Sequence, residues 1–276
     1  MRSSVTLCLV LLSFSLFAQT NRKLPNGQLA YYGSDFYGGK VSKESLFKIL
    51  NESHSPLADK HDVISTTCQG QSECFRHVSV GYDTARKIMF GELFKKQDAK
   101  GMFVEDVYCE KKFYYKAVED ISNMGREVNI EHTWPQSKFN GNFEKNMQKS
   151  DMHHLYPTDS DANNRRGNHE FGEVDADHDE LNVNDCSSSR LSDFSGHFMF
   201  TPPEVHRGNV ARSLFYFSIR YKLPIGPEQE MILRQWHKAD PIDQGELARH
   251  EQVAKYQKVR NPFIDFPQLI EKVSDF

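Results

Sequence analysis

The segment from Glu131 to Asn168 constrains this chain more than any other, because it is too polar to be packed as a core and too dense in reactive groups to be a spacer. It contains Glu131-His132-Thr133-Trp134-Pro135, then Asp151-Met152-His153-His154-Leu155-Tyr156-Pro157, then Asp161-Ala162-Asn163-Asn164-Arg165-Arg166-Gly167-Asn168. A solvated loop explains any one of these histidines better than a site does. It does not explain a carboxylate next to an imidazole, followed by amides beside paired arginines. The flanks must therefore supply the hydrophobic core and hold this middle segment against it.

The flanks read mostly as helices. Ser42 is placed to cap a helix carrying Leu46, Phe47, Ile49 and Leu50. A second helix is predicted from Asp83 or Thr84, burying Ala85, Ile88, Met89 and Leu93. Gly208 to Tyr221 and Glu228 to His237 follow with helical spacing, and Asp243 with Glu246 reads as a capping box for a last helix through Gln257. Val104 to Tyr108 alternates as a strand does, and Val128 to Thr133 gives another. With 38% hydrophobic residues, 20 Phe and 11 Tyr, the core is substantial, which excludes a disordered or fibrous chain. No internal repeat divides the sequence. The expected architecture is α+β, a mainly helical single domain over 19–276 with strand and loop in its middle.

Met1-Arg2 followed by the apolar run Val5 to Ala18 has the layout of a secretory signal peptide, with cleavage after Ala18 or, as a competing site, after Ser15. No other run is long enough to span a bilayer. Losing residues 1–18 discards Cys8 and leaves Cys68, Cys74, Cys109 and Cys186. An even count in an exported chain reads as disulfides with three connectivities. Cys68–Cys74 with Cys109–Cys186 is preferred, because Cys68 and Cys74 flank a short polar loop. A four-cysteine zinc site normally shows two close CxxC pairs, which are lacking. The formal charge of −4 gives no overall attraction for polyanions, so any such site is a local patch. Lys138, Lys145, Lys149, Arg165 and Arg166 are the candidates, against the alternative of a solvated face.

Phosphodiester hydrolysis calls for these residue types. A hard divalent cation prefers oxygen ligands, which Glu131 and an asparagine in the 163–168 stretch can offer while leaving room for water and phosphate. An imidazole with no metal on it can deprotonate the attacking water, and His132 is adjacent. Strand neighbours face opposite ways, so Glu131 and His132 share a site only if the strand twists, bulges or ends there. Trp134-Pro135 favours an ending.

These blocks, with Arg207-Gly208-Asn209-Val210-Ala211-Arg212, Arg260-Asn261-Pro262-Phe263-Ile264-Asp265, Tyr31-Tyr32, Gly38-Gly39 and the helix from Asp83, resemble the bacterial endonuclease I family. That family comprises secreted or periplasmic nucleases with a ββα-metal (His-Me finger) active site. The resemblance implies His132 as general base, Arg166 as a catalytic arginine, and Glu131 with Asn163 as Mg²⁺ ligands, Asn164 being the alternative if the register slips by one. Mn²⁺ or Ca²⁺ could take the place of Mg²⁺. It implies Arg165 on phosphate, and His153 and His154 either orienting the site or lying satisfied in the interior. The implied activity is sequence-nonspecific cleavage of DNA, and also RNA, to 5′-phosphate and 3′-hydroxyl ends. The implied protein is an exported monomer, periplasmic or secreted, with no membrane partner.

Three points stay open on the sequence. Arg212 is as well suited to a buried ion pair as to phosphate. Asp175, Asp177, Asp179 and Glu180 alternate like a Ca²⁺ loop but lack the glycine after the third acidic position, so a solvated loop is favoured. A non-catalytic secreted DNA-binding module is the alternative to a nuclease. A secreted zinc hydrolase is less favoured, since Glu131-His132 reverses the order of HExxH and no histidine follows four residues on.

Overall fold

The computed structural model describes residues 20–68, 73–117, 120, 126–194 and 197–276; the expected signal segment lies outside them. The first helices are α1 (Gly33–Tyr37) and α2 (Lys43–Asn51). The latter is capped as expected, Ser42 Oγ accepting from Ser45 N while Ser45 Oγ accepts from Ser42 N. This reciprocal cap satisfies amides that the first turn leaves free, and the helix buries Leu46, Ile49 and Leu50. An antiparallel pair follows, β1 (Ser53–Leu57) and β2 (Lys60–Ser65), then α3 (Tyr82–Ile88), which runs on as a π-helical turn through Met89–Leu93. Helix α3 begins one or two residues before the expected Asp83 or Thr84, and Leu93 is only half-buried.

Strands β3 (Lys96–Asp98), β4 (Gly101–Glu105) and β5 (Lys112–Tyr115) form an antiparallel sheet. The strand expected over Val104 to Tyr108 is thus shifted toward the N-terminus. Asp106 ends it, because its carboxylate accepts from the amides of Tyr108, Cys109 and Lys111 and folds the backbone into a turn. The middle segment supplies β6 (Val128–His132), the short helix α4 (Lys145–Lys149), β7 (Leu155–Asp159) and α5 (Ser160–Arg166). Beyond it lies a three-stranded sheet of β8 (Glu170–Phe171), β9 (Arg190–Phe194) and β10 (His197–Thr201), with β10 central.

The C-terminal helices are α6 (Glu204–Tyr221), α7 (Pro227–Ala239), α8 (Gln244–Gln257) and α9 (Pro262–Asp265). Helix α6 is buried nearly all round, which makes it the axis of the larger apolar cluster. A β-carbon on Gly208 would collide with the Asp240 carbonyl, so glycine is what lets α6 approach the end of α7. The expected capping box of α8 is half formed. Asp243 accepts from Glu246 N at 2.7 Å, but the Glu246 carboxylate turns to Arg212, with both of its oxygens 2.7 Å from the guanidinium. The demand of a buried guanidinium for a partner outweighs a terminal amide that water can satisfy. Of the two readings of Arg212, this is the buried ion pair.

A second apolar cluster, including Ala85, Ile88, Phe90, Val128, Ile130, Leu155 and Val253, packs on the other side of β6 and β7. Helix α5 also packs on the strand pair, and its Ala162 belongs to the larger cluster. Both preferred disulfides are formed, Cys68–Cys74 and Cys109–Cys186. Among the described residues no helix is long and apolar enough to cross a membrane.

Candidate active site

Strand β6 pairs antiparallel with β7 in a register that sets Glu131 opposite Tyr156 and His132 opposite Leu155. The chain leaves β7 directly into α5, whose N-terminus is capped by Asp159 through the amides of Asp161 and Ala162. Helix α5 then folds back across β6. Asn163 Nδ2 donates to the Ile130 carbonyl at 3.3 Å, and Arg166 donates to the carbonyls of His132 and Thr133 at 3.1 and 2.8 Å. Two strands and a helix thus bring Glu131, His132, Asn163 and Arg166 to one cleft of about 310 Å³, completed by Tyr82, Gln136 and Asn168 among others.

The alternation problem is solved by the strand ending at His132. Glu131 points inward, where Oε1 lies 2.6 Å from Arg166 Nη1 and accepts from Tyr108 Oη at 2.9 Å. Burial raises the Glu131 carboxyl above its ordinary value, opposed by the Arg166 charge and the Tyr108 hydroxyl. His132 turns the other way, stacked on Tyr82 at 5.6 Å, with Nε2 3.0 Å from the Lys149 carbonyl. A carbonyl only accepts, so Nε2 carries the proton and Nδ1 keeps its lone pair. The Gln136 amide lies 3.4 Å from Nδ1. Burial, with the charges of His154, Lys149 and Arg166, lowers His132 to about 3, so the ring is neutral at physiological pH.

The remaining oxygens decide what the cleft could hold. Among the described residues, neither Glu131 Oε2 nor Asn163 Oδ1 has a hydrogen-bond partner, and neither is sealed off as a buried orphan. Both residues line the cleft. A carboxylate oxygen and an amide oxygen are the hard donors that a Mg²⁺-class cation takes.

Arg166 lines the cleft from beneath, only 2% exposed and over the Phe171 ring. Other expected residues lie elsewhere. Arg165 and Asn164 are exposed and outside the cleft lining. His153 and His154 are interior, bonded through Nε2 to the carbonyls of Val259 and Gln148, although the His154 ring is 5.4 Å from that of His132. Of the basic cluster, Lys138 pairs with Glu170 at 3.5 Å and Lys149 lies over Tyr82 at 4.3 Å. In the acidic loop, Asp179 Oδ1 already accepts from the amides of Leu181 and Leu191. Among the described residues, no group of three metal-ligating side chains forms there. His250, Glu251 and Asp265 do converge, but Arg260 bridges both carboxylates of that trio.

Tyr82, Tyr108 and Gln136 escaped the sequence reading. None of the three carries a signal in the sequence that points to the cleft.

The family model described as Endonuclease I matches residues 76–268. An extracellular ribonuclease of Bacillus subtilis (strain 168) is 31% identical over 174 residues, 55% of either chain. An extracellular deoxyribonuclease of Aeromonas hydrophila is 29% identical over 122 residues, 44% of this chain and 51% of that one. Endonuclease-1 of Buchnera aphidicola subsp. Baizongia pistaciae is 24% identical over 195 residues, 60% of this chain and 77% of that one. The match spans about half the length of the extracellular relatives. Since the family model covers well over half of the sequence and spans the cleft entire, the chain belongs to the endonuclease I family.

Proposed function

We propose that this chain is an exported endonuclease that hydrolyses phosphodiester bonds in DNA and RNA with the help of one divalent cation, Mg²⁺ being the first choice. The observation that carries the reading is the tautomer of His132: with Nε2 held by the Lys149 carbonyl, Nδ1 keeps its lone pair, met only by the long 3.4 Å contact of the Gln136 amide, in the cleft that Glu131 and Asn163 also line, whose Oε2 and Oδ1 have no hydrogen-bond partner among the described residues. The two strands and helix then constitute a ββα-metal motif within a single domain over 19–276.

In the proposed reaction His132 Nδ1 takes a proton from the attacking water as its oxygen bonds to phosphorus. The P–O3′ bond breaks, leaving a 5′-phosphate and a 3′ oxygen that acquires a proton from solvent. When bound by Glu131 and Asn163, the cation would stabilise negative charge on the phosphate and the departing oxygen. Arg166 holds Glu131 and the β6 terminus in position. Gln136 orients the His132 ring, and Tyr82 covers its face. Arg165, exposed and in no ion pair among the described residues, is left to meet backbone phosphate, as is Lys149. Such contacts carry no sequence information, so cleavage is nonspecific in sequence.

Relatives named as a ribonuclease and as a deoxyribonuclease support both substrates, and their being extracellular supports export. The two disulfides fit an oxidising compartment. Incubation of supercoiled plasmid and of single-stranded RNA with the purified protein, in Mg²⁺ and in EDTA, tests the reading. Metal-dependent nicking is expected. Binding without cleavage in either condition would identify a non-catalytic module and overturn it.

A further inference from the structure

Just outside the cleft, an exposed aromatic ring is stacked on a half-buried one. Phe198, on β10, is 42% exposed, and its ring lies 4.9 Å from that of His169 with 28° between the planes. His169 abuts the cleft wall: its Nε2 is 4.0 Å from where a β-carbon on Gly167 would stand, and Gly167 and Asn168 both line the cleft. Gly167 has φ +56°, the left-handed turn that brings His169 back over the end of α5. The buried Arg166 and Lys138, the latter paired with Glu170 at 3.5 Å, lie within electrostatic reach of His169.

We infer that Phe198, propped by His169, is a stacking platform for one unpaired nucleobase next to the scissile phosphate, so that the site favours single-stranded over duplex nucleic acid. The inference rests on the nuclease reading and adds a substrate class to it. An exposed aromatic face beside a phosphate-binding cleft recognises any base, because every base has a π-face. In a duplex those faces are covered by neighbouring base pairs, so the platform has nothing to stack on; in single strands, loops and ends they are free. Phe200, two residues along β10 and so on the same face as Phe198, is buried opposite Phe171 of the parallel strand β8, which ties this end of β10 to the core. Stacked on His169, Phe198 still keeps 42% of its surface exposed.

The test compares equilibrium binding of a single-stranded oligonucleotide containing 2-aminopurine with that of the matching duplex, both in EDTA so that neither is cut. Phe198→Leu keeps the apolar bulk and removes the π-face, and Phe198→Tyr keeps the face. The ratio of single-strand to duplex affinity should fall roughly 5- to 100-fold in Phe198→Leu, the range that loss of one stacked base produces. It should stay within about 2-fold of wild type in Phe198→Tyr, with 2-aminopurine fluorescence quenched in wild type and Phe198→Tyr alone. An unchanged ratio in Phe198→Leu, or an equal loss on both substrates, would overturn the platform. Metal-dependent plasmid nicking by the wild type, run alongside, separates that result from failure of the nuclease reading, and a wild type that neither binds nor nicks overturns both.

Discussion

Arg166 Nη1 lies 2.6 Å from Glu131 Oε1, each side chain 2% exposed, so a guanidinium and a carboxylate compensate each other in the floor of the cleft. The same arginine holds the carbonyls of His132 and Thr133. One side chain on α5 therefore opposes the rise that burial imposes on the Glu131 carboxyl and holds the point at which β6 stops.

Removing that arginine should cost stability as well as activity. Arg166→Ala leaves the buried Glu131 carboxylate with Tyr108 but no cation and takes a donor from two carbonyls, a loss of about 3–5 kcal/mol for breaking a buried pair. Arg166→Lys should recover little, since an ammonium lacks the planar fork that reaches three acceptors. Urea denaturation of both variants checks this, and a midpoint like that of wild type in Arg166→Ala would refute the bracing role.

His132→Ala should lower the cleavage rate by about 10²–10⁴ while leaving the far-ultraviolet circular dichroism as in wild type. Because the ring titrates near 3, its protonation should not reduce activity between pH 8 and pH 5. A rate that halves near pH 6.5 and follows His132 in mutants would show that the base titrates as a solvated histidine does.

Low pH should unfold the protein through its buried histidines. Burial lowers His77, His132, His153 and His206 to about 3 and His154 to about 4. The unfolded chain takes up these protons near 6.5, so between pH 6.5 and 4 it binds more protons than the folded chain, and stability falls as pH falls. Each histidine contributes up to about 1.4 kcal/mol per pH unit in that window. Urea midpoints at pH 7 and pH 5 measure the slope, and equal midpoints would contradict it.

The two adjacent asparagines should behave differently. Asn163→Ala should raise the Mg²⁺ concentration needed for half-maximal cleavage, with partial rescue at high Mg²⁺ because water replaces a lost ligand. Asn164, exposed and outside the cleft lining, should tolerate alanine. Metal titrations of both variants decide it; the reverse pattern would move the ligand by one residue.

Reduction should weaken the fold. Cys109–Cys186 closes a loop of 77 residues, and cross-linking at that separation contributes on the order of 3–5 kcal/mol by restricting the unfolded chain. Thermal midpoint and cleavage measured with and without dithiothreitol should both drop on reduction. Full activity with an unchanged midpoint would remove the disulfide from the account.

Much of this was legible in the sequence because it is local. Ser42 caps a helix through a side chain three residues away, and the pairing of Cys68 with Cys74 follows from a short loop. The Glu131-His132 pair beside Trp134-Pro135 marked a strand about to end. Identifying which polar groups face the cleft was beyond the same reasoning. Arg165 and Arg166 are neighbours with the same chemistry, yet one is exposed and the other is sealed against Glu131, because α5 crosses β6 with a single face inward. His132, His153 and His154 are all imidazoles on carbonyls, yet only His132 lines the cleft. Nothing in the 101–110 stretch announced that Asp106 would break the strand there and send Tyr108 to Glu131. Residue order determined the elements and their chemistry, since periodicity and caps act within a few residues. The partner of each polar group was decided by tertiary structure, because it depends on which distant carbonyl, carboxylate or ring the packing of β6, β7 and α5 brings within about 3 Å.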